Sequence, residues 1–303
     1  MAQFRGTASV LYDNIDKVVY SVVETTGKQL PQIHKKYYRV LTSDRKFERR
    51  TQFAQFDSVP LKGEGEDYVS KQIKTGNSVD FTHLEFGLGF EVTETAEEDD
   101  QFDVIADYAA GLMRAARWTE ETYAASPLTL GFSTQTSPDG AAWFSASHTL
   151  ISGGTCSNLI TDDLSNDSLM NALILSATDA KSEEGHNLML QEGWDLIVPP
   201  ALMGVAERVV NSAGLPGSAD NDVNPVKNLF KVNVIVNPLI TDTDSWFLLA
   251  KGKNHGLLSY TRVPMQMKPM IRTERSDNRL YRLRFRKSWG VDRWQGAVGS
   301  QGA

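Results

Sequence analysis

The chain has one cysteine, Cys156, in 303 residues, and that scarcity removes two structural solutions together. A single thiol cannot close an internal disulfide, and without metal-ligand residues around it, it cannot anchor a structural zinc site. It reads as a small, inert apolar residue. Histidine is scarce too. His34, His83, His148, His186 and His255 are the five present, and none stands three or four residues from another histidine or from the cysteine, the spacing a helical metal site requires. Each is expected to be hydrogen-bonded or solvent-facing. No apolar run reaches the roughly 18 residues of a membrane span, and the opening Met1-Ala2-Gln3-Phe4-Arg5-Gly6 lacks the apolar segment of a secretory signal. The expectation is a chain with no membrane attachment that stays where it is made. Nucleophile-elbow and phosphate-loop patterns are missing, and Gly87-Leu88-Gly89 lies inside a strand pattern instead of opening a helix. No catalytic residue, cofactor or metal is expected, and the chain does not read as an enzyme.

What is present describes an ordinary folded chain. Hydrophobic residues make up 41% and charged residues 23%, so neither disorder nor a fibre is indicated. The length allows one large domain or two to three interlocked ones. A net charge of -7 argues against a protein that coats nucleic acid with its whole surface, because such binding rests on neutralising phosphates. A local basic face remains possible.

Along the chain the character changes by region. Residues 1 to 45 show no sustained period and end near a basic cluster of Lys28, Lys35, Lys36, Arg39, Arg45, Lys46, Arg49 and Arg50, which predicts an extended arm with few core contacts. From 46 to 94 the pattern is β. Leu84, Phe86, Leu88, Phe90 and Val92 alternate with Glu85, Gly87, Gly89 and Glu91, the period of a strand with one buried face. Gly63-Glu64-Gly65-Glu66-Asp67 and Thr75-Gly76-Asn77 read as turns, so 46 to 94 is predicted to be a long projecting β-hairpin. A helix follows, with Thr95 and Glu98 at capping-box spacing and Phe102, Ile105, Ala109, Leu112 and Ala116 on one face. Acids from Glu97 to Asp107 load its start, Arg114 and Arg117 lie towards its end, and Pro127 predicts a stop by Ser126. The acidic cluster lacks the glycine turn of a hard-cation loop, so helix-dipole complementarity accounts for it.

Beyond a loop-rich stretch with the turn Ser137-Pro138-Asp139-Gly140, helices at 165 to 181 and 202 to 211 and strands at 195 to 198, 232 to 236 and 246 to 250 form an expected α/β unit. On the first of these helices Leu169, Leu173 and Ala177 share a face. Near the end Tyr281, Leu283 and Phe285 alternate with Arg282, Arg284 and Arg286, a strand with one apolar face and one arginine stripe. The stripe could meet DNA or an acidic surface of a neighbouring copy. The negative net charge and the acidic helix start favour the second, and the planar arginine fork suits carboxylates.

This order of parts resembles the Hong Kong 97-type capsid fold of tailed phages, an α+β fold. The residues that carry the resemblance are Phe144-Ser145-Ala146-Ser147-His148 after Pro138-Asp139-Gly140, then Trp194-Asp195-Leu196-Ile197-Val198-Pro199-Pro200, then Asn233-Val234-Ile235-Val236-Asn237-Pro238. Among the family's branches the chain looks closest to a Mu-like major head subunit. The resemblance implies an N-terminal arm at 1 to 45, an E-loop hairpin at 46 to 94, a P-domain with a spine helix at 95 to 157, an A-domain at 158 to 262 and a return segment at 263 to 303. It implies a structural protein that assembles with itself into hexamers and pentamers of an icosahedral shell around double-stranded DNA, in the host bacterial cytoplasm. The further partners implied are a portal, a scaffold that is a separate protein, and decoration proteins. Glu64, Glu66, Asp67, Arg282, Arg284 and Arg286 are the expected subunit-contact residues. Some members cross-link a hairpin lysine to an asparagine; Lys62 stands in a fitting place, but no asparagine or assisting glutamate matches, so that chemistry is not carried over. A bacterial nanocompartment shell of the same fold, enclosing protein cargo, is the nearest alternative, and an α/β enzyme with an unrecognised site is a more distant one.

Overall fold

The computed structural model describes residues 8–54, 56, 58–98, 102–190, 193–214, 223–272 and 278–302. It opens with a helix, α1 (Ala8–Gln29), and a short turn of helix, α2 (His34–Tyr37), where the sequence suggested an extended arm. The reason lies in Val19 and Val23, four residues apart and both buried against Ala109, Leu112 and Met113. Two valines at helical spacing suffice once a partner surface is supplied, each contributing roughly 1.5–3 kcal/mol on full burial.

Strands β1 (Arg39–Thr42), β2 (Phe47–Ala54), β3 (Lys74–Thr82) and β4 (Leu84–Val92) follow. β2 and β3 pair with each other over a long intervening loop, and that pairing takes in Thr75-Gly76-Asn77, which is strand and not turn. β4 does not extend the hairpin. It pairs with the strand near the chain's end, an association that alternation alone cannot reveal because it reports a buried face and not the neighbour.

The acid-rich helix is described as α3 (Glu94–Glu98) and α4 (Phe102–Thr129). Thr93, not Thr95, caps its start, its hydroxyl accepting from the Ala96 N–H at 3.3 Å. Asp99 and Asp100 and the side chains of Glu97, Glu98 and Phe102 lie outside the described residues. Ile105, Ala109, Leu112 and Ala116 are buried as expected. The helix runs past Pro127 because the carbonyl that proline leaves unpaired, that of Tyr123, accepts instead from the Ser126 hydroxyl at 3.0 Å. Arg114 and Arg117 therefore sit mid-helix, and Arg117 pairs with Glu120 in place of any role at the helix end.

The remainder comprises β5 (His148–Thr149), β6 (Thr155–Cys156), β7 (Leu159–Ile160), α5 (Asn166–Asp179), β8 (Trp194–Val198), α6 (Met203–Asn211), α7 (Pro225–Leu229), β9 (Val232–Val236), β10 (Trp246–Ala250), β11 (Leu257–Arg272), β12 (Arg279–Val291) and β13 (Ala297–Ser300). Ser165 caps α5 with a box closed by Ser168, and Ala172 and Ser176 are buried beside Leu169 and Leu173 where Ala177 was expected. Five strands form a mixed sheet in the order β7-β13-β10-β8-β9, flanked by α5 and α6 around a core of Leu196, Val198, Trp246 and Leu248. A second sheet has the order β1-β11-β12-β4. Tyr281, Leu283 and Phe285 of β12 face α4 and α1, with Phe86 stacked on Phe285 at 4.8 Å and Phe90 on Tyr281 at 5.3 Å.

Where α4, β12 and the N-terminal segment converge, charges are buried. Glu120 is 0% exposed, bound by Lys287 and, at 2.5 Å, by Arg117 Nη1. Burial alone would raise the Glu120 pKa, but Lys287, Arg117 and His34 reverse this and hold it below its ordinary value. Next to it, Glu121 takes His34 Nδ1 at 2.6 Å and the His34 backbone N–H at 3.1 Å. Removing one partner of such a group strands the others. Glu120→Gln is expected to lower subunit stability by about 3–5 kcal/mol, whereas Asp80→Asn, which breaks the exposed Arg49–Asp80 pair, should leave the denaturant midpoint of unassembled subunits nearly unchanged.

Candidate assembly surfaces

The arginine stripe occupies the face of the second sheet turned away from α4. The three arginines are half-buried, and the register leaves part of them accessible: Arg282 lies opposite Gly89 and Arg284 opposite Gly87, positions of β4 that carry no side chain. At Gly89 glycine is required, since a Cβ there would meet the Tyr281 carbonyl oxygen at 2.6 Å. On the other flank Lys268 stands opposite Arg282 and Gln266 opposite Arg284. Among the described residues, one carboxylate pairs with the stripe: Glu85 lies 2.6 Å from Arg284 Nε and 3.8 Å from Arg286 Nε. Glu91 is further along the same face, accepting from Asn278 at 3.3 Å. Three arginines and a lysine thus face two carboxylates, and the face is basic in a chain of net charge -7. Glu85 was legible as a residue of the polar strand face, but its role was not, because β4 and β12 are nearly two hundred residues apart.

The acidic contact candidates are elsewhere. Glu64, Glu66 and Asp67 are exposed on the loop between β2 and β3, and among the described residues no ion pair joins them to Arg282, Arg284 or Arg286. The Glu66 carboxylate accepts from the Gly63 N–H at 2.9 Å, and Gly65 takes the left-handed conformation with φ 81° that the turn needs. The same loop displays apolar side chains to solvent: Leu61 is 99%, Val59 95% and Tyr68 89% exposed, with the Lys62 ammonium 4.9 Å over the Tyr68 ring. Residues of this size are not left in water over a whole loop without a partner surface. Two anchors hold the base of the hairpin. Arg50 Nε donates to the Tyr260 hydroxyl at 2.6 Å, and the carboxylate of Glu183 accepts from Gln52 at 3.1 Å and Gln295 at 2.8 Å.

The profile of the phage capsid protein family matches residues 76–300. The chain belongs to that family. No curated protein matches the sequence. Among solved structures, this capsid protein is similar to the capsid of the cyanophage P-SCSP1u, at 14% identity and a TM-score of 0.60 over 88% of this chain and 86% of that one. It is similar to the procapsid of bacteriophage JBD30, at 15% identity and 0.53 over 97% and 75%. It is also similar to a virus-like particle from Pyrococcus furiosus, at 10% identity and 0.53 over 94% and 98%. At these identities the likeness is one of fold, the mixed helix-and-sheet Hong Kong 97-type fold.

The histidines of the capsid protein do not gather. His83 lies between the hydroxyls of Ser288 and Ser43, each at 3.1 Å. Burial, with the positive charges of Arg286 and Arg262, lowers its pKa against the pull of Glu48. His255 is buried and accepts from the Leu257 N–H at 3.2 Å, His34 is held by Glu121, and His186 is exposed. Cys156 is buried, which pushes its thiol pKa up and makes it unreactive. His186→Ala is accordingly expected to leave melting and particle yield unchanged, while His34→Ala, which takes the ring partner from the buried Glu121 carboxylate and leaves it the backbone N–H of residue 34, should cost about 1–3 kcal/mol, measured by thermal melting of unassembled subunits.

Proposed function

We propose that this capsid protein is the major head subunit of a tailed phage, of the Mu-like kind, assembling with itself into hexamers and pentamers of an icosahedral shell around double-stranded DNA in the host bacterial cytoplasm. The reading is supported by the β2–β3 loop, whose apolar and acidic side chains stand in solvent, touched among the described residues by groups of the loop itself, yet recur in every copy of a shell protein. The parts take the roles of arm (1 to 45), E-loop (46 to 94, except β4, which joins the sheet of β12), P-domain (95 to 157 with the return segment 263 to 303) and A-domain (158 to 262). Portal, scaffolding and decoration proteins are the further partners. Contacts of this kind bury more than about 2,000 Å² in obligate assemblies. Light scattering of the purified protein is expected to show capsomers, sheets or shells, and a clean monomer over all concentrations and salt conditions would overturn the proposal.

In the proposed contact, Glu64, Glu66 and Asp67 of one copy meet Arg282, Arg284 and Arg286 of another. Each exposed pair contributes only ~0.2–1 kcal/mol, but repetition around a capsomer multiplies the effect while each contact stays weak enough to correct itself during assembly. Arg284→Glu is expected to reduce particle yield more than it lowers subunit melting, and an acid-to-lysine change at Glu64 or Glu66 should restore part of the yield. Particles that form normally but package DNA poorly would instead place the stripe on the inner surface. The similarity to the Pyrococcus furiosus particle supports a second reading, a nanocompartment shell. Nucleic acid copurifying with the particles favours the head subunit; a protein cargo favours the compartment.

A further inference from the structure

The turn at Ser137–Ala141 and strand β5 are fastened to the chain's end through one side chain. His148 is fully buried, its ring stacked flat on Trp294 with centroids 4.5 Å apart and planes 4° from parallel. Its Nδ1 stands 2.7 Å from Asp139 Oδ2 and its Nε2 3.1 Å from Asn158 Oδ1.

The orientation of the Asn158 amide is not free. Its Nδ2 donates to the Trp143 carbonyl at 2.8 Å and its Oδ1 accepts from the Ser145 N–H at 2.8 Å, so a flipped amide would set donor against donor and acceptor against acceptor. Oδ1 therefore faces the histidine as an acceptor. The other ring nitrogen faces a carboxylate. The Asp139 carboxylate is already an acceptor on other sides, taking the Ser137 hydroxyl and the Ala141 N–H at 3.3 Å on Oδ1 and the Thr149 N–H at 3.3 Å on Oδ2. Neutral imidazole has one N–H and one lone pair, and a lone pair aimed at either atom would be a repulsion in a site closed to solvent, His148 being 0% exposed.

We propose that His148 is carried as an imidazolium in the folded subunit, so that the capsid protein binds one structural proton between Asp139, Asn158 and the face of Trp294, and that this proton fastens the 137–149 segment. The flat indole supplies the third partner, its ring face attracting a cation within about 6 Å. The titratable or charged groups on the elements packed against the ring are Asp139, Cys156 on the paired strand β6, and Asp292 and Arg293 beside Trp294; Asp179, Lys181 and Glu183 lie behind Cys156.

The test is nitrogen NMR on full-length, histidine-labelled, unassembled subunits at neutral pH. The His148 imidazole is expected with both nitrogens protonated and both ring protons slow to exchange, and its signal is assigned by its loss in His148→Gln. Should His148→Gln not fold, Asp139→Asn serves in its place, because replacing the anion is expected to convert the doubly protonated signal to a single-proton tautomer. A single-proton His148 in the natural chain overturns the proposal.

Discussion

The arrangement turns on a carboxylate that has no access to water. Glu120 lies in phase with Ala109, Leu112 and Ala116 on the core face of α4, and is satisfied only when Lys287 of β12 and Arg117 of its own helix reach it together. Apolar packing tolerates sliding and repacking; a buried charge does not, because a misplaced partner leaves a desolvated ion. The pairing therefore sets how β12 lies along α4. Through Glu121 and His34 it also sets where the N-terminal segment enters, and Tyr38, whose hydroxyl donates to the Ala124 carbonyl at 2.8 Å, fixes the next step of the chain.

With β12 so placed, the sheet has two unlike faces. Tyr281, Leu283 and Phe285 complete the core beneath α4, and the residues between them must then point outwards as the arginine stripe. Gly87 and Gly89 on β4 leave that stripe partly accessible, one of them because the backbones approach too closely for any side chain. The hairpin is treated in the opposite way: its base is pinned by Arg50 and Glu183, while its apolar and acidic loop is left in solvent. A thin two-layer wall with one charged face and a tethered, sticky loop is well suited to a protein whose remaining surface is completed by copies of itself.

Much of this was legible in the residues. Strict alternation marked β4 and β12, helical spacing marked α4, and the scarcity of cysteine and clustered histidine turned attention from chemistry to packing. These are local signals, set by the periods of two and 3.6 residues that the backbone imposes. Even the buried charges left a trace, since Glu120 and Lys287 each interrupt an apolar face at a position in phase with it.

What the sequence could not supply was partnership. The valines of α1 are too few to announce a helix until α4 lies beside them, and Thr75-Gly76-Asn77 has turn chemistry yet is held as strand by β2. Asp139, Asn158 and Trp294 are spread over more than 150 positions and converge on His148 only in the fold. Composition and periodicity determined that the chain builds a packed α+β protein with an arginine face. Which carboxylate meets which cation depends on contacts between distant segments, and those exist only after the backbone has closed the distance.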